Sequence, residues 1–208
     1  MSTEIKKDIV CPSCGRVQKL EMYTSVNSED NPELRRAILS EGIFDWECLN
    51  CGYVAQMVYP MIYHDPKNKF MIALRPSAAV TRPEPVASIQ GLKLRSVKNP
   101  RELKEKILIF EAGLDDAAVE LVKNAITTAV KKNFSGSVHA FFCEADDEEM
   151  RFSIYLRGSN EPTYQNTQMS VYRQSQEVLR ALDYREPGSF AVVNSKLAQT
   201  LLEDYKSL

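Results

Sequence analysis

The chain has 208 residues, 44% of them hydrophobic and 26% charged, and a formal net charge of −2 at pH 7. That length builds one large domain or two smaller ones around a real core, and the composition is that of an ordinary globular protein. The slightly acidic balance gives the surface as a whole no attraction for nucleic acid or anionic membrane, and no apolar run approaches the ~18 residues of a membrane span.

Met1 to Asp8 is charged and leads into no long apolar stretch, so no secretory signal is expected and the expected compartment is the cytoplasm. From Arg16 to Ser25 the chain alternates like a strand, with Val17, Leu20, Met22 and Tyr23 among polar neighbours. Asn31 suits a helix N-cap, Pro32 the first helical position and Gly42 the stop. Ile43 to Glu47 and Tyr53 to Tyr59 are rich in β-formers. Met61–Tyr63 and Phe70–Leu74 flank a hairpin turn over His64 to Lys69. Three prolines between Arg75 and Pro85 predict a linker or extended crossing segment.

Beyond it, Asn99-Pro100 opens a helix with Glu102 in its first turn, Leu103, Ile107 and Phe110 on its apolar face and Gly113 at its end. Asp115 caps a second helix to about Lys132, with the stripe Ala118, Leu121, Val122, Ala125, Ile126 and Ala129. The short link makes the two an antiparallel helical hairpin. Ser137–Glu144 and Met150–Arg157 read as a strand pair joined by the acidic turn Asp146-Asp147-Glu148-Glu149. A third helix is expected over Val171 to Leu182, a short buried strand over Phe190 to Val193, and a last helix from the cap Asn194 to about Tyr205.

Four of the five cysteines form two pairs, Cys11-Pro12-Ser13-Cys14-Gly15 and Cys48-Leu49-Asn50-Cys51-Gly52-Tyr53. In a reducing compartment such pairs mark a metal rather than disulfides. Two intervening residues form the tight turn that brings two thiolates to one ion at about 2.3 Å, and the same turn points backbone N–H groups at the sulfurs. The following glycine supplies a positive φ, and Pro12 pre-sets one dihedral of its turn. Cys11, Cys14, Cys48 and Cys51 are therefore the predicted ligands of one Zn2+. Four thiolates close the coordination sphere, so the ion is expected to be structural. A redox pair of thioredoxin type would sit at a helix start after a βαβ pattern, which neither pair does. Rubredoxins hold iron with similar knuckles, in the opposite order and in much shorter chains; tetrahedral thiolate chemistry by itself admits either metal.

With these residues the chain resembles the CpXC-domain family of bacterial and archaeal proteins, through Cys11-Pro12-Ser13-Cys14, the second knuckle, and Tyr59-Pro60-Met61-Ile62-Tyr63-His64-Asp65. The second knuckle has Leu49 where the first has proline, which leaves the thiolate spacing intact. The resemblance implies a zinc-ribbon-like domain and no particular reaction.

The remaining candidates have plainer readings. His64-Asp65 reads as a turn start, His139 as a packed or edge residue, Cys143 as a small core residue, and the acidic run as a solvated turn. Lys93, Arg95, Lys98, Arg101, Lys104 and Lys106, with Arg75 and Arg82 upstream, form the most basic stretch. It is either a phosphate-contacting patch or, as favoured here, a solvated face interrupted by Glu102 and Glu105.

The expected fold is α+β: a zinc ribbon with an elaborated antiparallel sheet over residues 1–80 and a mixed α/β region over 86–208. The expected role is a zinc-stabilised binding module for another macromolecule, a protein, with Trp46, Tyr53 and Tyr59 as aromatic anchors or core residues. The alternatives are nucleic-acid binding through the basic stretch and an enzyme with its site in the C-terminal region. No catalytic residue and no membrane partner is assigned.

Overall fold

The structure, a computed structural model, describes residues 2–77, 91–159 and 161–208. It is α+β, as the sequence pattern predicts. Its contacts define two compact units, Met1–Lys104 with Pro187–Ala191, and Glu105–Glu186 with Val192–Leu208. The linker prediction runs into residues 78–85, which, with Arg82, lie outside the described residues.

In the first unit, β1 (Thr3–Val10) and β2 (Val17–Asn27) form an antiparallel hairpin, followed by α1 (Pro32–Leu39). β3 (Asp45–Glu47) and β4 (Val54–Gln56) form a second, short hairpin. β5 (Met61–Asp65), β6 (Phe70–Leu74) and β7 (Lys93–Val97) complete a five-stranded sheet of order β1-β2-β5-β6-β7. The sheet is mixed rather than purely antiparallel: β2 pairs with β5, and β6 with β7, in parallel. A parallel pair needs a long crossover, and the α1 and β3–β4 segment supplies it between β2 and β5. Val26, Tyr63, Phe70, Ile72, Leu74 and Leu94 form the interior.

Two local expectations shift by a residue or a role. Asn31 sits at the N-cap of α1 but its side chain caps nothing; its amide donates to Glu33 instead. The left-handed residue after α1 is Glu41, at φ 63°, and Gly42 opens the 3-10 turn Gly42–Phe44. The Glu41 N–H closes on the Ile38 carbonyl, so the chain reverses one residue before the glycine.

α2 (Pro100–Glu111) is the helix in which the two units part. At its start, Asn99 Oδ1 accepts from the Glu102 N–H and Glu102 Oε2 from the Lys98 N–H, so Glu102, expected in the first turn, also closes the helix entry. The second unit continues with α3 (Asp116–Lys131), β8 (Val138–Ala145), β9 (Glu149–Leu156), β10 (Thr163–Gln168), α4 (Met169–Ala181) and α5 (Ser195–Lys206). Asp115 and Asn194 cap α3 and α5, each accepting two backbone N–H groups. The strands form an antiparallel sheet of order β10-β9-β8.

β10 has no counterpart in the sequence reading, because Thr-Tyr-Gln-Asn-Thr-Gln carries no apolar alternation. The expected strand at Phe190–Val193 reduces to a single bridge between Ala191 and Arg95 in the first unit. In α3 the stripe narrows, with Ala125 and Ala129 exposed, while Asp116 and Glu120 are buried.

Those acids belong to a buried charged cluster between α2 and α3. Lys106 Nζ lies 2.8 Å from Asp116 and 3.4 Å from Glu120; Lys123 Nζ lies 2.8 Å from Glu105 and 2.9 Å from Glu120. Glu105 also accepts the backbone N–H of Phe142 in β8 at 2.7 Å. Among these five groups three carboxylates face two ammonium groups. Burial pushes the Glu105 carboxyl up against the pull of Lys123. Burial likewise opposes the Lys123 charge, yet Glu105 and Glu120 outweigh it and raise its pKa.

Candidate metal centre

The β1–β2 and β3–β4 hairpins of the first unit each carry one knuckle in the turn. Cys11 follows β1 and Cys48 follows β3, and the two turns close identically. The Cys11 N–H donates to the Arg16 carbonyl and the Cys48 N–H to the Tyr53 carbonyl, while Gly15 and Gly52 donate back to the Cys11 and Cys48 carbonyls. Gly15 at φ 71° and Gly52 at φ 68° make the reversal that a side chain with Cβ resists. Replacing either by alanine is expected to cost about 1–2 kcal/mol, or roughly tenfold in metal affinity. Titration against a competing chelator measures it; for Gly15, which has no atom within 4 Å of an added Cβ, the loss would be backbone strain alone.

The turns bring the four sulfurs within 4.8 Å of one another. Cys11 and Cys51 lie 3.7 Å apart, as do Cys14 and Cys48. Ligands about 2.3 Å from one ion at tetrahedral corners are about 3.8 Å apart. The cluster therefore has the size and the donor set of a four-thiolate metal site. Cys11 and Cys48 are buried, and Cys14 and Cys51 exposed.

The surroundings act in opposite directions on the two exposed sulfurs. Cys14 is drawn down to about 6, first by the Arg16 backbone N–H, then by the Asn50 side chain and the neighbouring thiols. At Cys51 the Tyr53 backbone N–H pulls the same way, but desolvation and the sulfurs of Cys14, Cys48 and Cys11 push it up to about 11. A divalent cation at the centre binds thiolates and so displaces the protons of its ligands.

Three polar residues around the sulfurs were not singled out by the sequence. Gln18, at the start of β2, donates its amide N–H to Cys48 Sγ at 3.6 Å and accepts the Leu49 N–H at 3.4 Å. Arg16 donates to Asn50 Oδ1 at 2.7 Å, which links the first knuckle to the second. Only pairing of the two hairpins reveals these roles, since nothing in the local pattern distinguishes Gln18 from any solvent-facing strand residue.

The aromatic anchors divide. Trp46 packs with Cys11 and Cys48, flanked by Ile9, Leu20, Ala55 and Met57. Tyr59 is buried, with its ring edge-on to Phe44 and its hydroxyl accepting the Tyr23 N–H. Of the three, Tyr53 is exposed. The basic stretch is dispersed: Arg95 is 1% exposed and donates to the Leu94 carbonyl, and Lys106 is enclosed among Asp116 and Glu120. A strand followed by a helix sends successive cations to different sides, so charge adjacency in sequence is not a patch.

Elsewhere, Asp65 is buried and accepts from both the backbone and side-chain amides of Asn68, stapling the β5–β6 turn, while His64 is half-buried on the opposite face of β5. His139 is exposed on β8. Cys143 sits at a bulge where the β8–β9 register shifts. Asp146 caps its own turn through the Glu148 and Glu149 N–H groups.

Fold and site together define an α+β protein with a paired-knuckle, four-cysteine centre. The chain belongs to the CpXC family, whose model, described as CpXC protein, matches residues 9–123. That span runs from the end of β1 through both knuckles into α3. No match was found among curated proteins or among solved structures.

Proposed function

We propose that this chain is a zinc-stabilised binding module that recognises another protein through the tips of its two knuckle-bearing hairpins. The observation that supports this reading is the apolar surface around the cysteines. Leu49 is 93% exposed, and Val10, Val17, Tyr53 and Val54 are also exposed on the same two turns and strand ends. Val10 and Val17 pair directly across the first hairpin. Single exposed apolar residues are ordinary, but several gathered on two hairpin ends joined by one metal suit a partner's apolar surface. The closed thiolate set leaves the ion a scaffolding role. Zinc is favoured over iron because a site that only holds two hairpins together needs no redox chemistry.

The burial of Arg95 and Lys106 weakens the nucleic-acid alternative. No helix among the described residues is long and apolar enough to cross a membrane. A cytoplasmic setting suits free thiolates. The test places a photo-crosslinker at position 49 in cells. Formation of a discrete protein adduct that is lost in Val10→Ser/Val54→Ser, with one zinc per chain retained, is expected. Crosslinking to RNA or DNA instead, or an adduct indifferent to those substitutions, would count against the reading.

A further inference from the structure

β10 is the outer strand of the β10-β9-β8 sheet, and its six residues Thr163 to Gln168 are nearly all exposed. None of them is charged and none is proline. An edge of this kind offers unpaired N–H and C=O groups to another strand, and proteins normally blunt it with charge, brevity or cover. The other outermost strands of the sheets among the described residues are blunted. β1 carries Glu4, Lys6, Lys7 and Asp8. β7 is covered by Ala191, which exchanges hydrogen bonds with Leu94 and Ser96. β8 gives its Phe142 N–H to Glu105. β3 and β4 have three residues each. Tyr164, 58% exposed beneath the Arg151 guanidinium, adds an aromatic side chain next to the bare edge.

We infer that β10 joins two copies of this chain, pairing antiparallel about a two-fold axis to make one six-stranded sheet. α4 begins at Met169, directly after β10, so the register that keeps the second strand clear of the helix is centred on Gln165. Thr163 then lies opposite Thr167 of the partner subunit, Tyr164 opposite Asn166 of the partner subunit, and Gln165 opposite its own counterpart. No charged side chain meets another across this seam, so the edge is complementary to itself. A strand edge with one aromatic buries less than the ~1,200 Å² of a stable dimer, so the association is concentration-dependent. The inference rests on the second unit and is independent of the role given to the knuckles.

The test is sedimentation equilibrium of the full-length, metal-loaded protein. The wild-type dimer fraction is expected to rise with concentration. Gln165→Lys and Gln165→Glu each place like charges on the two-fold axis and should weaken association by up to about fivefold, the size of a like-charged cross-strand pair. An equimolar mixture of the two variants should restore it, and this rescue separates a lost contact from a lost fold. A wild type that stays monomeric overturns the proposal and leaves the edge to a strand of another protein. Dimerisation unchanged in Gln165→Lys overturns it equally.

Discussion

Lys123→Met is expected to destabilise the second unit by about 3–5 kcal/mol in urea unfolding, the usual cost of removing one partner from a buried ion cluster. The substitution keeps most of the side-chain volume, so the loss is electrostatic rather than a cavity. It leaves Glu105 with its Phe142 N–H and only the more distant charge of Lys106, and Glu120 with Lys106 alone at 3.4 Å. Adding Glu105→Gln should recover most of the loss, because glutamine still accepts the Phe142 N–H and carries no charge. The raised pKa of Lys123 fixes the pH behaviour. Its contribution is complete below the free-lysine value of ~10.4 and is lost only as pH climbs through the higher folded value, so the penalty should persist at neutral pH and shrink in strong alkali. A cost under ~1 kcal/mol would mean that water reaches the cluster and screens it.

Cys48→Ser is expected to abolish metal binding and to open the first unit. The purified wild type should carry close to one zinc per chain, and the variant close to none, by elemental analysis. Apparent binding free energies of structural zinc reach roughly 10–16 kcal/mol, and that energy is available only to the folded site. Cys48 is buried against Trp46 and accepts the Gln18 amide, so serine there loses a ligand and loosens the packing beneath both knuckles. Hydrogen exchange should show β1–β2 and β3–β4 losing protection first, with residues 1–75 following. Protection in the second unit should survive if that unit folds independently; its loss along the whole chain would show one cooperative unit instead. Metal retained at wild-type levels in Cys48→Ser would refute the four-cysteine assignment.

Local signals alone located much of this protein. Two Cys-x-x-Cys-Gly turns contain everything needed to present two thiolates each, because turn geometry depends on only a few consecutive residues. The caps at Asn99, Asp115 and Asn194 were equally legible, since each satisfies donors two or three residues away. So were β5, β6 and the helices of the second unit, whose apolar periodicity reflects a single buried face.

Tertiary structure decided what depends on distant partners. Gln18 and Asn50 join the metal site only because separate hairpins meet there. Trp46 and Tyr59 became core, although an aromatic residue in a strand reads the same whether it faces a partner or an interior. Arg95 and Lys106 read as part of a solvated face, yet both are buried, as are Asp116 and Glu120; opposite charges from α2 and α3 make the burial of the last three tolerable, and no local pattern encodes that pairing. β10 is a strand because β9 supplies its hydrogen bonds, not because its own polar sequence demands it.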